Sequence, residues 1–207
     1  MMATTHLLAG LLIALPVAMA YPSLAIPVMI GSAIGSVLPD LDLYYGHRRT
    51  LHYPTYGLVA IPAAAIVAIL VTHPVVVGLA FVVIGAAIHA RMDLYGGGLE
   101  LRPWEGSSEQ AVYDHVKRTW LPPRRFIRYD GAPEDVAFAS VLAIPGLLLL
   151  EGHLWWLVVV ALGISLVYGL VRKPIVDLGV VILRYAPVTL LTILPTRYLE
   201  DELADRL

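Results

Sequence analysis

A chain of 207 residues with 58% apolar and 14% charged residues and a mean hydropathy of +0.76 falls outside the soluble range, which excludes an ordinary water-soluble domain. The net charge of −2 and a pI near 6.4 provide no basic face for nucleic acid. With no cysteine there is neither a disulfide framework nor a thiolate metal site, so any bound metal falls to His, Asp and Glu.

Apolar stretches run over 6–20, 23–38, 54–71, 74–91, 136–150, 154–171 and 175–194, and a spanning helix needs roughly 17–25 residues. The expected fold is therefore all-α, a polytopic transmembrane bundle of six or seven apolar helices. The first stretch is expected to be a first membrane helix in preference to a secretory signal, since no Lys or Arg precedes Arg48 and apolar character resumes at Ser23. Tight breaks at Tyr21-Pro22-Ser23, Thr72-His73-Pro74 and Glu151-Gly152-His153 predict antiparallel hairpins, with Pro22 and Pro74 opening the helices that follow.

Those hairpins place the amino terminus, 39–53, 92–135 and 172–173 on one side of the membrane. Arg48, Arg49, Arg91, Arg102, Lys117, Arg118, Arg124, Arg125, Arg128, Arg172 and Lys173 all fall there, and the three opposite turns carry no Lys or Arg. That asymmetry predicts a multi-pass cell-membrane protein with this side cytoplasmic. Within 106–135, basic residues alternate with Trp120, Phe126 and Ile127, a composition suited to lipid headgroups, and Pro122-Pro123 forbids one continuous helix. The chain then divides into 1–105, which holds the candidate site, an interfacial segment at 106–135, and further helices with an acidic tail at 136–207.

The chemistry gathers on the basic side. The segment from Leu38 to His52 holds Asp40, Asp42, His47, Arg48, Arg49 and His52 in fifteen residues. His6 opens the first apolar stretch, while His89 and Asp93, four apart at the end of the fourth, leave one helix face together. Taken singly, each has a plain reading: His6 as an interfacial residue, Asp40 as a turn former, Arg48 and Arg49 as topology determinants, Asp93 as the partner of Arg91. Together they are costly groups brought to one membrane level from four parts of the chain, which is the mark of a functional site. His6, Asp40, His47, His52, His89 and Asp93 are the candidate metal ligands. Asp42 is assigned as a base, or as a carboxylate orienting His47, and Arg48 as a donor to substrate. His115, beside Asp114, is a candidate outer group; His73 and His153 belong to the opposite turns and stay outside.

Thr5-His6, Leu38-Pro39-Asp40-Leu41-Asp42, His47-Arg48 with His52, and His89 with Asp93 resemble, in order and spacing over residues 1–105, the membrane-bound metal-dependent hydrolases, described as LexA-binding inner-membrane-associated hydrolases. In that family the third block reads His-Arg-Gly, an apolar or aromatic residue, then Thr-His. Here Arg49 stands for the glycine, which implies a less strained turn, and the threonine comes one place early, at Thr50, before Leu51 and His52. His89 and Asp93 are also similar to the His-x-x-x-Asp pair of zinc phospholipases C.

The resemblance implies a hydrolase using a divalent metal, zinc first and manganese or iron otherwise, at the cytoplasmic membrane face. Its position implies a lipid or other phosphoester as substrate, with the bilayer as partner. Two ions bridged by a carboxylate would acidify water and clamp the ester oxygens. No Gly-x-Ser-x-Gly elbow is present for a serine lipase. A metal or proton transporter, or a non-catalytic membrane protein with a structural metal, are the alternatives that the same residues leave open.

Overall fold

The computed structural model describes residues 1–194 and Leu199. The acidic tail Glu200-Asp201-Glu202 with Asp205, together with Arg197 and Arg206, lies outside the described residues.

The chain is mostly helical. Helices α1 (Ala3–Ala20), α2 (Ala25–Val37), α3 (Gly57–Leu70) and α4 (Pro74–Met92) come first, followed by the strands β1 (Val112–Asp114) and β2 (Thr119–Leu121) and the helices α5 (Pro133–Leu149), α6 (Gly152–Arg184) and α7 (Val188–Leu191). A 3-10 turn, Leu38–Leu43, prolongs α2, and another, Asp93–Tyr95, prolongs α4. Four described helical stretches are long and apolar enough to cross a membrane: Ala3–Ala20, Pro22–Leu43, Pro74–Tyr95 and Gly152–Arg184, with Gly57–Leu70 apolar but shorter. Pro22 and Pro74 occupy first-turn positions, where their missing N–H costs nothing.

One sequence expectation changes. Stretches 154–171 and 175–194 are not separated, because α6 runs through Arg172-Lys173-Pro174 to Arg184. The polar pair is neutralised from the side instead of breaking the helix. Arg172 donates to both oxygens of Asp130 at 2.8 and 3.1 Å, and the Lys173 ammonium lies 5.3 and 5.2 Å from the ring centres of Trp104 and Tyr129. Pro174 removes a single donor from a helix otherwise complete.

The separation of α2 and α4 is set by absent side chains. A Cβ on Gly31 would lie 2.2 Å from the Gly78 carbonyl oxygen, and one on Gly35 would lie 2.1 Å from that of Val82. Since the paired numbers rise together, the two helices run parallel and end side by side. Helices without a water-driven force between them depend on such close backbone approach. Helix α1 joins α2 through the Ser32 hydroxyl, which donates to the Gly10 carbonyl at 2.7 Å.

The start of α1 is tied to α5 by Asp135, which is wholly buried. Its carboxylate accepts from the Met2 backbone N–H (2.8 Å), the Thr5 hydroxyl (2.7 Å) and the Gly131 backbone N–H (3.1 Å). The 106–135 segment is bound to the bundle through its backbone. Its hairpin, with Tyr113 opposite Trp120, clasps the end of the bundle: Tyr113 N–H donates to Arg48 C=O, Arg124 N–H to Leu94 C=O, Arg125 N–H to Gly96 C=O and Ile127 N–H to Tyr95 C=O. Two of its cations are engaged within the protein, Arg125 with Glu109 and Arg128 with Glu134.

A side chain at Gly35 must push α2 from a backbone carbonyl that cannot rotate away. Gly35→Ala is expected to cost about 2–3 kcal/mol, near the upper end for overpacking, read as a lowered thermal midpoint in detergent. Gly163→Ala, where a Cβ meets nothing within 4 Å, should leave the midpoint unchanged.

Candidate metal centre

The amino end of α1, the carboxyl ends of α2 and α4 and the loop before α3 meet at one end of the bundle, and each brings a polar side chain. At their centre is Asp93, 1% exposed. Its Oδ1 lies 3.1 Å from His6 Nε2 and 3.2 Å from the amino group of Met1. Its Oδ2 lies 3.3 Å from His52 Nε2, 3.4 Å from His89 Nε2 and 3.3 Å from Arg48 Nε. Asp40 Oδ1 is 3.4 Å from His89 Nε2. A buried carboxylate of this kind persists only when it is surrounded by cations or donors.

Four residues, Asp40, His52, His89 and Asp93, each offer one ligand atom within 4.8 Å of all the others, a group able to hold a metal ion. The tautomers support that capacity. His89 Nδ1 lies 2.7 Å from the Ser36 carbonyl, which can only accept, so Nδ1 donates. His52 Nδ1 lies 3.1 Å from Asp42 Oδ2. When either ring is neutral its lone pair is then on Nε2, which faces carboxylate oxygens. Neither Nε2 has a hydrogen-bond partner among the described residues, although both are buried.

Lone pairs set against carboxylates repel unless a cation or a proton sits between them. The edge of a tetrahedron is about 1.6 times its centre-to-vertex distance, so bonds of about 2.0–2.1 Å give ligand separations of roughly 3.3–3.4 Å. The His52–Asp93, His89–Asp93 and His89–Asp40 separations have this value. The donor set is nitrogen and oxygen only, as zinc, manganese and iron accept.

His52 shows the competition between metal and proton. Burial presses its pKa down, but the neighbouring Asp42 and Asp93 carboxylates outweigh it and hold the imidazole above its ordinary value. At Nε2 a cation would compete with a proton.

Asp42 lies outside the group of four and organises it. It is 2% exposed; Oδ1 is 3.0 Å from His47 Nδ1 and 3.3 Å from the Arg48 N–H, and Oδ2 takes the Leu51 N–H at 3.1 Å as well as His52. With that many donors it is a positioning carboxylate. His47 meets the centre through Asp42 and packs edge-on against the His52 ring, with centroids 5.8 Å apart. Burial lowers its pKa, and the neighbouring Arg48 lowers it further against the opposing pull of Asp42. His6 reaches the centre through Asp93 and stacks on the His89 ring, with centroids 3.7 Å apart.

The expected relaxed turn is not found. Arg48 adopts a left-handed φ of 58° and Gly46 one of 92°, whereas Arg49 is not left-handed. The strain sits one residue earlier because Arg48 is held at both ends, its N–H by Asp42 and its guanidinium by the Gly97 carbonyl at 2.7 Å and by Asp93. The hydroxyl of Thr50 is spent within the turn, on the Tyr45 carbonyl. Arg49 turns away onto the Tyr113 ring. Asp114 binds Thr55, and His115 donates to the Arg49 carbonyl and stacks on Tyr53, so neither enters the site. His73 caps α4 by accepting the Val75 N–H, and His153 is exposed in the first turn of α6.

Sequence reasoning missed the Ser36 and Gly97 carbonyls, which carry no side-chain signal, and the role of Asp135. The Gly96-Gly97-Gly98 run was the available clue to a close approach: a Cβ on Gly97 would lie 2.4 Å from the Arg128 carbonyl oxygen.

Beside this centre opens a cavity of about 510 Å³, whose wall includes Asp40, His47 and Arg48 as well as Glu100 and residues of α6. No protein-family model, curated protein or solved structure matches the chain.

Replacing Asp42 by Asn removes charge behind both His47 and His52 while leaving every ligand in place. A loss of about 10- to 100-fold in metal affinity is expected, measured by competition with a chromophoric chelator. An unchanged affinity would remove Asp42 from the account.

Proposed function

We propose that this protein is a multi-pass membrane hydrolase that uses a divalent metal, zinc first, to cleave an ester or phosphoester at the cytoplasmic face. The observation that carries the reading is the pair of buried, unpartnered Nε2 atoms of His52 and His89 converging on Asp93. The ordered resemblance of residues 1–105 to the membrane-bound metal-dependent hydrolases supports the same class. Helices α1 to α6 give about six spans in this reading, and the basic loops around the site end support its cytoplasmic orientation.

Asp40, His52, His89 and Asp93 hold the ion, with Ser36 and Asp42 fixing the imidazole tautomers. When bound, such an ion supplies Lewis acidity to water and to the ester oxygen. His47 is the base: its Nδ1 is engaged by Asp42, its depressed pKa keeps the ring neutral, and it shares the cavity wall with Asp40. It takes a proton from the attacking water as the water oxygen bonds to phosphorus. The bond from phosphorus to the alcohol oxygen breaks, and His47 returns the proton to the departing alkoxide, leaving alcohol and phosphate. In this assignment Asp42 orients the base, and Arg48 both neutralises Asp93 and borders the substrate.

A transporter reading has less support. Residues 7–39, 57–72, 75–88, 136–150 and 154–171 contain no Asp, Glu, Lys, Arg or His, so no relay of ionisable groups continues through these helices.

Purified protein loaded with zinc should hydrolyse 4-nitrophenyl phosphate or 4-nitrophenyl butyrate, lose turnover on chelation and regain it on adding zinc back. His47→Ala should lower kcat by about a hundredfold or more with metal content unchanged. Turnover that survives complete metal removal would contradict the proposal.

A further inference from the structure

The cavity next to the centre is lined by two kinds of residue. Asp40, His47 and Arg48 join it to the candidate metal centre. Its side wall is apolar and comes from elements distant in sequence: Leu43 of the turn after α2, and Ile164 and Val176 of α6. In the remaining polar wall Glu100 Oε1 accepts the Ser108 N–H while its Oε2 is left without a hydrogen-bond partner among the described residues, and the groups of α6 are paired with Asp130. Tyr168 donates its hydroxyl to Asp130, and Arg172 forks onto both oxygens of the same carboxylate. The Asp130 network is therefore a closed ion pair, and Leu43, Ile164 and Val176 are the wall that a hydrocarbon would meet.

The position of the mouth adds a second argument. Leu43 is 41% exposed and Ile164 is 52% exposed, and both are large apolar residues on the rim. Each belongs to a stretch long and apolar enough to cross a membrane, Pro22–Leu43 and Gly152–Arg184. A rim built from two such stretches opens toward the surroundings those helices require, which is lipid. A small water-soluble ester would leave this apolar wall wet. An occupant with a polar head and a hydrocarbon chain satisfies both ends.

We infer that the cavity is the substrate site for a single-chain amphiphilic phosphoester, with the phosphate at Asp40, His47 and Arg48 and the hydrocarbon chain along Leu43, Ile164 and Val176. The inference rests on the hydrolase reading for what happens to the phosphoester. It adds the class of substrate and lateral access from the bilayer between the α2 turn and α6.

The test uses the full-length, zinc-loaded protein in nanodiscs with a dodecylphosphonate bearing a terminal diazirine. Irradiation followed by peptide mass spectrometry reads the position of the chain independently of turnover. Cross-links are expected on α6 around Ile164 and Val176 and at Leu43, displaced by excess dodecylphosphonate and not by methylphosphonate. Ile164→Trp fills the cavity from an exposed rim position and should lower labelling about tenfold, the loss expected when a few methylenes are no longer buried. Metal content should not change, and Ile164→Ala should retain labelling.

Labels spread equally over the exposed apolar face of α3, including Leu58 and Val59, with no effect of Ile164→Trp, would overturn the inference. The two readings separate cleanly. Specific labelling without hydrolysis of dodecyl phosphate sustains the cavity and removes the hydrolase, whereas equal kcat/KM for ethyl and dodecyl phosphate with diffuse labelling removes the cavity and sustains the hydrolase.

Discussion

A carboxylate removed from water is tolerated only where the surrounding groups return what hydration provided. Asp93 is such a group, placed at the end of an apolar helix and closed off from solvent. Its compensation comes from the amino end of α1, through Met1 and His6, from the loop before α3, through Arg48 and His52, and from His89 one turn back on its own helix. The geometry of the whole site follows from that demand. The left-handed backbone at Arg48 persists because its guanidinium is needed at Asp93, and the loop 46–52 folds back so that Asp42 can organise the two histidines it contains.

The demand can be met only if the helices end at the same level and close together. Glycines make that possible. Gly31 and Gly35 let α2 approach the α4 backbone, so Asp40 and Ser36 from one helix and His89 and Asp93 from the other share a single polar pocket. Asp135 performs the equivalent task for α1, holding its first turn so that His6 faces Asp93. The hairpin and the irregular segment after it close the end of the bundle through backbone hydrogen bonds to Arg48, Leu94, Tyr95 and Gly96. Packing and chemistry are therefore one problem in this protein: a shift of α2 along α4 would separate the ligand atoms.

Much of this was legible in the residues. Alternating hairpins followed from the tight, proline-marked breaks, and the convergence of His6, Asp40, His52, His89 and Asp93 followed from the hairpins. What the residues could not convey was rank within the cluster. His47 and His52 look equivalent in sequence, yet Asp42 binds both and only His52 joins the four-residue group, because the Arg48 turn directs them differently. The division of 152–184 was misread because Arg172-Lys173-Pro174 has the composition of a break. Its partners Asp130, Trp104 and Tyr129 lie far off in sequence, so the neutralisation that keeps α6 continuous has no local signal. The clasp was missed for a related reason: backbone donors to Leu94 and Gly96 carry no side-chain signature.

The central claim is that Asp40, His52, His89 and Asp93 enclose a cation in the separation now spanned by unpartnered nitrogens and carboxylate oxygens. X-ray absorption spectroscopy on protein loaded with one equivalent of zinc measures this most directly. The account predicts a low-coordinate shell of nitrogen and oxygen at about 2.0–2.1 Å with the multiple-scattering signature of two imidazoles, reduced to one in His52→Ala. A six-oxygen hydrated shell without imidazole, or protein that retains no zinc after reconstitution, would contradict it.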